Sequence, residues 1–248
     1  MLVVMGDPKP GPRPGPKSER RAAVAYAYHF ARQAAQGRSL SPTEAFRYAY
    51  QTNLWGGPES PSGPGSSLDQ TAHLQQALPE LFRRLGVRAM LDLPCGDGHW
   101  MDAVALPGIR YLGADLLPEV LARAAARSPE REFLTLDLTA SPLPPADLLL
   151  CRDCLVHLSF SDIERALANI LRSRITYLLA TTFPNEPANR DSITGDWRPL
   201  NLEQPPFGFP RPLEVLQEGC TEQGGLFAGK SLALWRVADL PPSASRAA

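Results

Sequence analysis

Three aspartates follow short apolar segments in the middle of the chain. Asp92 ends AMLD, Asp115 ends RYLGAD and Asp137 ends EFLTLD. In dinucleotide-binding folds, an acid that lies about 20 residues after the first strand and its turn accepts both hydroxyls of a ribose. Asp115 has this position. A carboxylate at Asp137 could meet an adenine amino group. Each acid alone would also suit a solvated strand end, but the three together favour one crevice for an adenosine-containing ligand.

A tight glycine turn follows the first of these acids. The segment DLPCGDGHW places small residues where a strand turns into the next element, and glycine lets a backbone approach a ligand closely. A lone Gly-x-Gly is more often only a turn. Met101 stands three residues after Gly98, where a dinucleotide site needs glycine, and a Walker phosphate loop is absent.

The elements that must position these residues alternate from residue 89 onward. Continuous apolar runs predict strands at AMLDLP, RYLGAD, EFLTLD, DLLLCR and TYLLATT, and helical patterns occupy HWMDAVAL, PEVLARAAAR and SDIERALANILRS, the last capped by Ser161 with Glu164. Two further strands, LEVLQEGC and SLALWRV, are joined too closely for a helical crossover. The expected fold is a doubly wound α/β domain, with a seven-stranded, mostly parallel sheet and an antiparallel terminal hairpin.

An N-terminal helical cap precedes this sheet. We expect a disordered tail at 1–17, a cap integral to the domain at 18–85, a Rossmann-like core at 86–240 and a tail at 241–248. The cap holds a helical pattern in ERRAAVAYAYHFARQAAQ and a second helix that Ser41 and Glu44 start with a capping box. Ser67 and Gln70 repeat that spacing, and Pro79 marks a kink or a break in the third helix.

The order of these motifs resembles the class I S-adenosylmethionine-dependent methyltransferases over residues 86–237. The resemblance implies S-adenosylmethionine as cofactor, a cation without phosphate that suits the acids Asp92 and Asp97. It implies that Asp92 lies by the methionine ammonium, that Asp115 holds the ribose and that Asp137 with Leu138 reads the adenine. We expect the cofactor-binding residues to be Trp55, Ser66, Asp92, Pro94, Cys95, Gly96, Gly98, Asp115, Leu116, Asp137, Leu138 and Cys151. Pro94 replaces the family's usual first glycine.

The segment CRDCLVHLS follows the fourth strand, which in this family ends beside the transferable methyl group. Asp153 and His157 are four residues apart and would share one face of a helix, so we assign them as base and partner. A packed histidine is the alternative. Cys151 and Cys154 form a CxxC, but zinc would need about four converging ligands, and we expect no metal.

Arg152 could orient an anionic acceptor or pair with a surface acid. The unpatterned segment 183–212 could be a substrate-contacting lid, with Trp197 and Arg198 touching the acceptor, or simple surface packing. The position after the fourth strand reads CRDC rather than DPPY, which does not favour exocyclic base amines. We expect O-methylation of a small molecule or glycan, with N-methylation of an amine or protein side chain, or a silent cofactor-binding module, as alternatives.

Charge and hydropathy limit the partners. A formal net charge of -1 provides no global basic field for nucleic acid or anionic lipid. No apolar run reaches the roughly 20 residues of a membrane span, so we expect a soluble cytoplasmic protein, and the sequence leaves its oligomeric state open.

The stretch WGGPESPSGPGSS has the composition of a linker, but it joins two segments of the cap. Trp55 is a poor linker residue because a flexible tether gains nothing from a large apolar ring. We expect an ordered loop over the methionine end of the cofactor, with Ser66 or Ser67 capping the next helix and touching the cofactor carboxylate.

Overall fold

The computed structural model describes Val24 and residues 26–242. The tail expected at 1–17, the start of the first predicted helix and residues 243–248 lie outside the described residues. Among the residues that are described, none of the helices combines the length and the apolarity that a membrane crossing requires.

Seven strands form a single mixed sheet in the order β3-β2-β1-β4-β5-β7-β6. The first five pair in parallel, and β7 runs antiparallel between β5 and β6. The strands are β1 (Ala89–Asp92), β2 (Arg110–Asp115), β3 (Glu132–Thr135), β4 (Leu148–Cys151), β5 (Tyr177–Thr182), β6 (Glu214–Gln217) and β7 (Ser231–Arg236). The predicted sheet and its antiparallel hairpin are confirmed.

Alternate residues of the central strands enter two apolar cores on opposite faces of the sheet. All four residues of β4 are buried, which explains its unbroken apolar run. One core collects Met90, Leu148, Leu150, Leu179, Leu232 and Leu234. The other collects Leu91, Leu149, Leu178, Ala180, Ala233 and Trp235.

The helices in chain order are α1 (His29–Ala34), α2 (Pro42–Gln51), α3 (Leu68–Leu85), α4 (Pro118–Arg127), α5 (Phe160–Arg172) and the single turn α6 (Glu222–Gly225). α3 packs Leu74, Leu78 and Leu81 into one core, and α5 packs Ile163 and Ile170 into the other. Each fully buried aliphatic side chain contributes about 1.5–3 kcal/mol of transfer free energy. Helices therefore cover both faces of the sheet.

Some of the predicted helix boundaries are confirmed and others are wrong. The capping box at Ser41 and Glu44 is present. Ser67 caps α3 through Gln70, and α3 runs unbroken through Pro79, so the predicted break is wrong. α5 begins two residues earlier than expected, because Ser159 rather than Ser161 is its cap.

Two predicted helices are shorter than the patterns indicated. The helix expected over 99–106 is a 3₁₀ turn at Met101–Ala103, because Met101 and Val104 reach the core from an irregular segment. The first predicted helix, within its described part, is a turn at 26–28 followed by α1. Asp196 holds the start of α1 by accepting hydrogen bonds from the amides of Phe30 and Ala31 at 2.8 and 3.0 Å.

Candidate active site

A cleft opens at the carboxyl ends of β1, β2 and β4, where the strand order reverses beside β1. Such a switch point is where doubly wound folds bind ligands. The cleft contains about 1070 Å³ of free space, including solvent at its mouth. Its walls include most of the predicted cofactor-binding residues, namely Trp55, Ser66, Asp92, Pro94, Cys95, Gly96, Asp115, Leu116, Asp137 and Leu138. We call this space the cofactor cleft.

Asp115 ties the glycine turn to the end of β2. Its carboxylate accepts hydrogen bonds from the amides of Gly96 at 3.2 Å and Leu117 at 3.0 Å. Burial raises the pKa of Asp115 to about 6, although these amide hydrogen bonds oppose the rise. A buried carboxylate with unused acceptor capacity suits a ligand that donates hydroxyl groups.

Asp92 lies deeper in the same cleft and is only 2% exposed. The hydroxyl of Tyr111 donates to its carboxylate at 2.8 Å. Burial nevertheless raises the pKa of Asp92 to about 7, and the charges of Arg152 and Arg131 reduce that rise without cancelling it. A cation beside Asp92 would stabilise the ionised form.

The turn after β1 is closed by the loop of residues 55–67. Gly96 has φ +58°, and a Cβ at this position would overlap Ser62 Oγ, so glycine is required for both its conformation and its contact. Ser60 Oγ donates to the buried carboxylate of Asp97 at 2.7 Å. Asp97 therefore holds the loop, and it is not among the residues that line the cofactor cleft.

The segment after the third strand lies on the wall of the cofactor cleft. Asp137 lies two residues beyond β3 rather than at its end, and its carboxylate accepts the amide and hydroxyl of Thr139, both at 2.7 Å. The carbonyl of Leu138 accepts Nδ2 of Asn169 at 2.9 Å. These contacts fix the backbone of Asp137 and Leu138 along the wall of the cleft.

A second cavity adjoins the cofactor cleft, and Trp55, Ser62, Asp153 and His157 line both. Aromatic side chains supply much of its wall, and we call it the aromatic cavity. Trp197 and Phe227 pack edge to face with ring centroids 4.7 Å apart, and Phe183 joins them. The remaining lining includes Val24, Tyr26, Glu222 and Lys230.

His157 stands between the two spaces. Its ring lies 5.2 Å from that of Trp55 and 6.5 Å from that of Phe46, measured between centroids. Burial lowers the pKa of His157 to about 4, and the charge of Asp153 only partly opposes this. Within the described part of the chain its buried Nδ1 has no hydrogen-bond partner. The imidazole is therefore neutral at pH 7.

Asp153 and His157 do not share a helical face as expected. Asp153 has φ +51° in a bend, and Leu155–His157 form a 3₁₀ turn. Asp153 is instead held by Lys230 at 2.6 Å and by Arg152 at 3.3 Å. Burial alone would raise the pKa of Asp153, but these two cations and the hydrogen bond from Lys230 hold it at about 2.

Arg152 pairs with a buried acid rather than with a surface one. Its guanidinium bonds Glu218 at 2.6 Å and the carbonyl of Gly65 at 2.8 Å, and stacks 5.1 Å from the centroid of Trp100. Arg152 lies on the wall of the cofactor cleft. It thus links the loop of residues 55–67 to β4 and to the segment after β6.

Comparisons with known proteins agree with this geometry. Residues 90–173 match the family described as "Methyltransferase domain". Residues 90–173 therefore carry a methyltransferase domain. A malonyl-[acyl-carrier protein] O-methyltransferase of Serratia marcescens is 31% identical over 115 residues, 45% of this chain and 45% of that protein. The chain thus matches less than half the length of this curated relative.

Solved structures of similar architecture include two further methyltransferases. The methyltransferase domain of bacterial CtHen1 has 13% identity and a TM-score of 0.49, and the match covers 68% of this chain and all of that one. A magnesium protoporphyrin IX methyltransferase of Synechocystis PCC 6803, solved with its methyl donor, has 18% identity and a TM-score of 0.46 over 64% of this chain and 83% of that one.

The residues that line the cofactor cleft fit S-adenosylmethionine. Asp115 offers acceptors for hydroxyls, and Asp92 offers a carboxylate for an ammonium group. Tyr50 Oη and Trp55 Nε1 are buried polar atoms without hydrogen-bond partners among the described residues, and both side chains line the cofactor cleft. A bound polar ligand would satisfy such atoms, which otherwise cost about 1–3 kcal/mol each.

Four predicted site residues lie away from the cofactor cleft. Gly98 packs against Ala124, and Cys151 is buried in a core. Arg198 is 2% exposed, donates to the carbonyls of Leu155, Val156 and Arg190, and lines neither the cofactor cleft nor the aromatic cavity. Trp197 lines only the aromatic cavity.

All four cysteines lie within the described part of the chain and are free thiols. Cys154 lies on the wall of the cofactor cleft. A contact with Cys151, followed by burial, raises the pKa of the Cys154 thiol well above its usual value. Among Val24 and residues 26–242, no group of three or more His, Cys, Asp and Glu side chains is placed to bind a metal.

Several lining residues were not anticipated from the sequence. Phe46 and Tyr50 are four residues apart on α2, a spacing that could have indicated a shared face. Lys230 and Glu222 gave no sequence signal, because single charges near a terminal strand are ordinarily solvated.

Proposed function

We propose that this chain methylates an oxygen of a small molecule that binds in the aromatic cavity, with S-adenosylmethionine in the cofactor cleft. The observation that carries this proposal is the junction of the two spaces at Trp55, Ser62, Asp153 and His157. Two ligands bound side by side would meet at this junction. Such an arrangement suits direct transfer, since proximity and alignment can supply much of the acceleration.

The choice of oxygen is supported by a relative and by the chemistry of the site. The partial relative from Serratia marcescens is named as an O-methyltransferase. When bound, the cofactor supplies a methyl group already activated by a positively charged sulfur. A hydroxyl acceptor must lose its proton during transfer, and neutral His157 can receive it. Asp153 then stabilises the imidazolium that forms.

The ion pair of Asp153 with Lys230 keeps its carboxylate charged and in place. A carboxylate with a pKa of about 2 is a poor base at pH 7. His157 is therefore the better proton acceptor of the two, and Asp153 is its electrostatic partner.

We further propose that residues 26–85 belong to the same domain as the sheet. Arg47 on α2 pairs with Glu119 on α4 at 2.7 Å, and Tyr50 packs with Leu117 and Val120. Ser60 bonds Asp97 in the turn after β1. The cap thus supplies one wall of the cofactor cleft, as a separate module joined by a flexible linker would not.

A methyl-transfer screen tests the proposed function. The protein would be incubated with methyl-labelled S-adenosylmethionine and pools of hydroxylated aromatics, sugars and carboxylic acids. Label should enter an oxygen ether or ester in wild type and in the surface control Asp239→Asn. It should fall about 10²-fold in His157→Gln, which retains cofactor binding. Label found only on nitrogen would contradict the choice of oxygen.

A further inference from the structure

The charged groups beside the aromatic cavity form a connected cluster. Lys230 lies 2.6 Å from Asp153 and 3.4 Å from Glu218. Arg152 lies 3.3 Å from Asp153 and 2.6 Å from Glu218. Each of the two cations therefore pairs with both of these carboxylates.

Glu222 is a third carboxylate in the same place. Lys230 Nζ, Asp153 Oδ2 and Glu222 Oε2 lie 3.2, 3.4 and 3.4 Å from the position that a Cβ would take on Gly65. Among the ion pairs of the described residues, defined within 4.0 Å, none involves Glu222. The cluster thus carries one carboxylate more than it has cations.

Tyr26 responds to this excess of negative charge. Burial, followed by the charges of Glu222 and Asp153, raises the pKa of its phenol. Tyr26 and Glu222 both line the aromatic cavity. The carboxylate of Glu222 at the wall of the cavity, unpaired within the described part of the chain, therefore disfavours a further anion and favours a cation.

The rest of the wall suits a flat ring. Trp55, Phe183, Trp197 and Phe227 bring aromatic surface to the cavity. Aromatic faces attract cations as well as apolar rings, because the ring quadrupole is negative on its faces. The aromatic cavity therefore combines aromatic side chains with a carboxylate that has no cationic partner among the described residues.

We propose that the aromatic cavity selects a ring-bearing acceptor that carries a protonated amino group, and that Glu222 determines this selectivity. The inference rests on the proposed function and specifies the acceptor of that same site. The ring would pack on the aromatic wall, the ammonium group would pair with Glu222, and the hydroxyl to be methylated would point towards His157. An acceptor with a carboxylate in place of the amine would face Glu222 and Asp153 and be rejected.

The test compares three phenols of similar size that differ in the charge of one substituent. Tyramine carries an ammonium group, 4-ethylphenol is neutral and 3-(4-hydroxyphenyl)propionate carries a carboxylate. Their affinities for protein saturated with S-adenosylhomocysteine would be measured by saturation-transfer NMR titration. Wild type should bind tyramine about tenfold more tightly than 4-ethylphenol, and the carboxylate least tightly.

Two variants assign the selectivity to Glu222. Glu222→Gln should remove most of the tenfold preference for tyramine, and Glu222→Lys should make the carboxylate the tightest of the three. Glu214→Gln, which removes a carboxylate from β6 where it pairs with Arg84, should leave the order unchanged. Equal affinities of wild type for all three phenols, or a preference that survives in Glu222→Lys, would overturn the proposal.

Binding of S-adenosylhomocysteine in the same samples separates the two claims. If wild type and Glu222→Gln bind it equally, a missing preference counts against the acceptor assignment alone. If wild type fails to bind it, the proposed function itself is contradicted.

Discussion

The buried carboxylate of Asp92 should make cofactor binding depend on pH. Burial raises its pKa to about 7 in the free protein. We propose that the ammonium group of the cofactor lies beside it, so binding requires the ionised form. Affinity should then rise with pH until Asp92 is fully ionised, and a proton should be released when the cofactor binds below pH 7.

The size of this effect follows from the pKa. A group with a pKa of about 7 is about nine-tenths ionised at pH 8 and about one-tenth ionised at pH 6. The contribution of Asp92 to affinity should therefore fall about tenfold between these values, or about 1.4 kcal/mol. Asp115, with a pKa of about 6, adds a smaller change in the same direction.

Asp92→Asn isolates the effect, since an asparagine can still accept the hydroxyl of Tyr111. The α-amino group of the cofactor has a pKa near 8. Its ionisation affects wild type and variant equally, so it does not change the ratio of their affinities. By calorimetry at pH 8 the variant should bind S-adenosylhomocysteine about tenfold more weakly than wild type. At pH 6 the two should differ less than twofold. A ratio of affinities that does not change with pH would refute this reasoning.

Three further perturbations have defined outcomes. His157→Gln should lower kcat about 10²-fold while the Kd for S-adenosylhomocysteine stays within twofold; unchanged turnover would remove His157 as the base. Arg152→Met leaves Glu218 buried with one remaining cation and should lower the free energy of unfolding in urea by about 3–5 kcal/mol. Replacing both Arg152 and Glu218 by apolar residues should recover much of that loss, and an unaffected single variant would contradict the pairing. Hydrogen exchange of residues 55–67 should be slow with bound S-adenosylhomocysteine and faster in Ser60→Ala, whereas fast exchange in wild type would return the loop to the linker interpretation.

The sheet could be predicted because its strands are buried on both faces. A run such as LLLC in β4 has no solvent-facing positions, so its unbroken hydrophobicity identifies a parallel strand. The position of Asp115 could be predicted as well, because it ends the apolar run of the strand that follows the glycine turn. Signals of this kind are local in the sequence.

Features that depend on distant partners could not be read in this way. Lys230 owes its burial to Asp153, a residue 77 positions earlier in the chain. Arg198 stands in an aromatic loop and resembled a substrate contact, yet backbone carbonyls after β4 use its donors. The segment 99–106 has the spacing of a helix, yet it is a 3₁₀ turn because Met101 and Val104 reach the core from an irregular segment.

Calorimetric titration with S-adenosylhomocysteine tests the central claim most directly. Wild type and the surface control Asp239→Asn should bind one equivalent with the same affinity. Asp115→Asn should bind at least tenfold more weakly, because an amide that donates cannot replace the carboxylate towards hydroxyl groups. Absence of heat in wild type at millimolar ligand, or equal binding by Asp115→Asn, would contradict the assignment of the cofactor cleft.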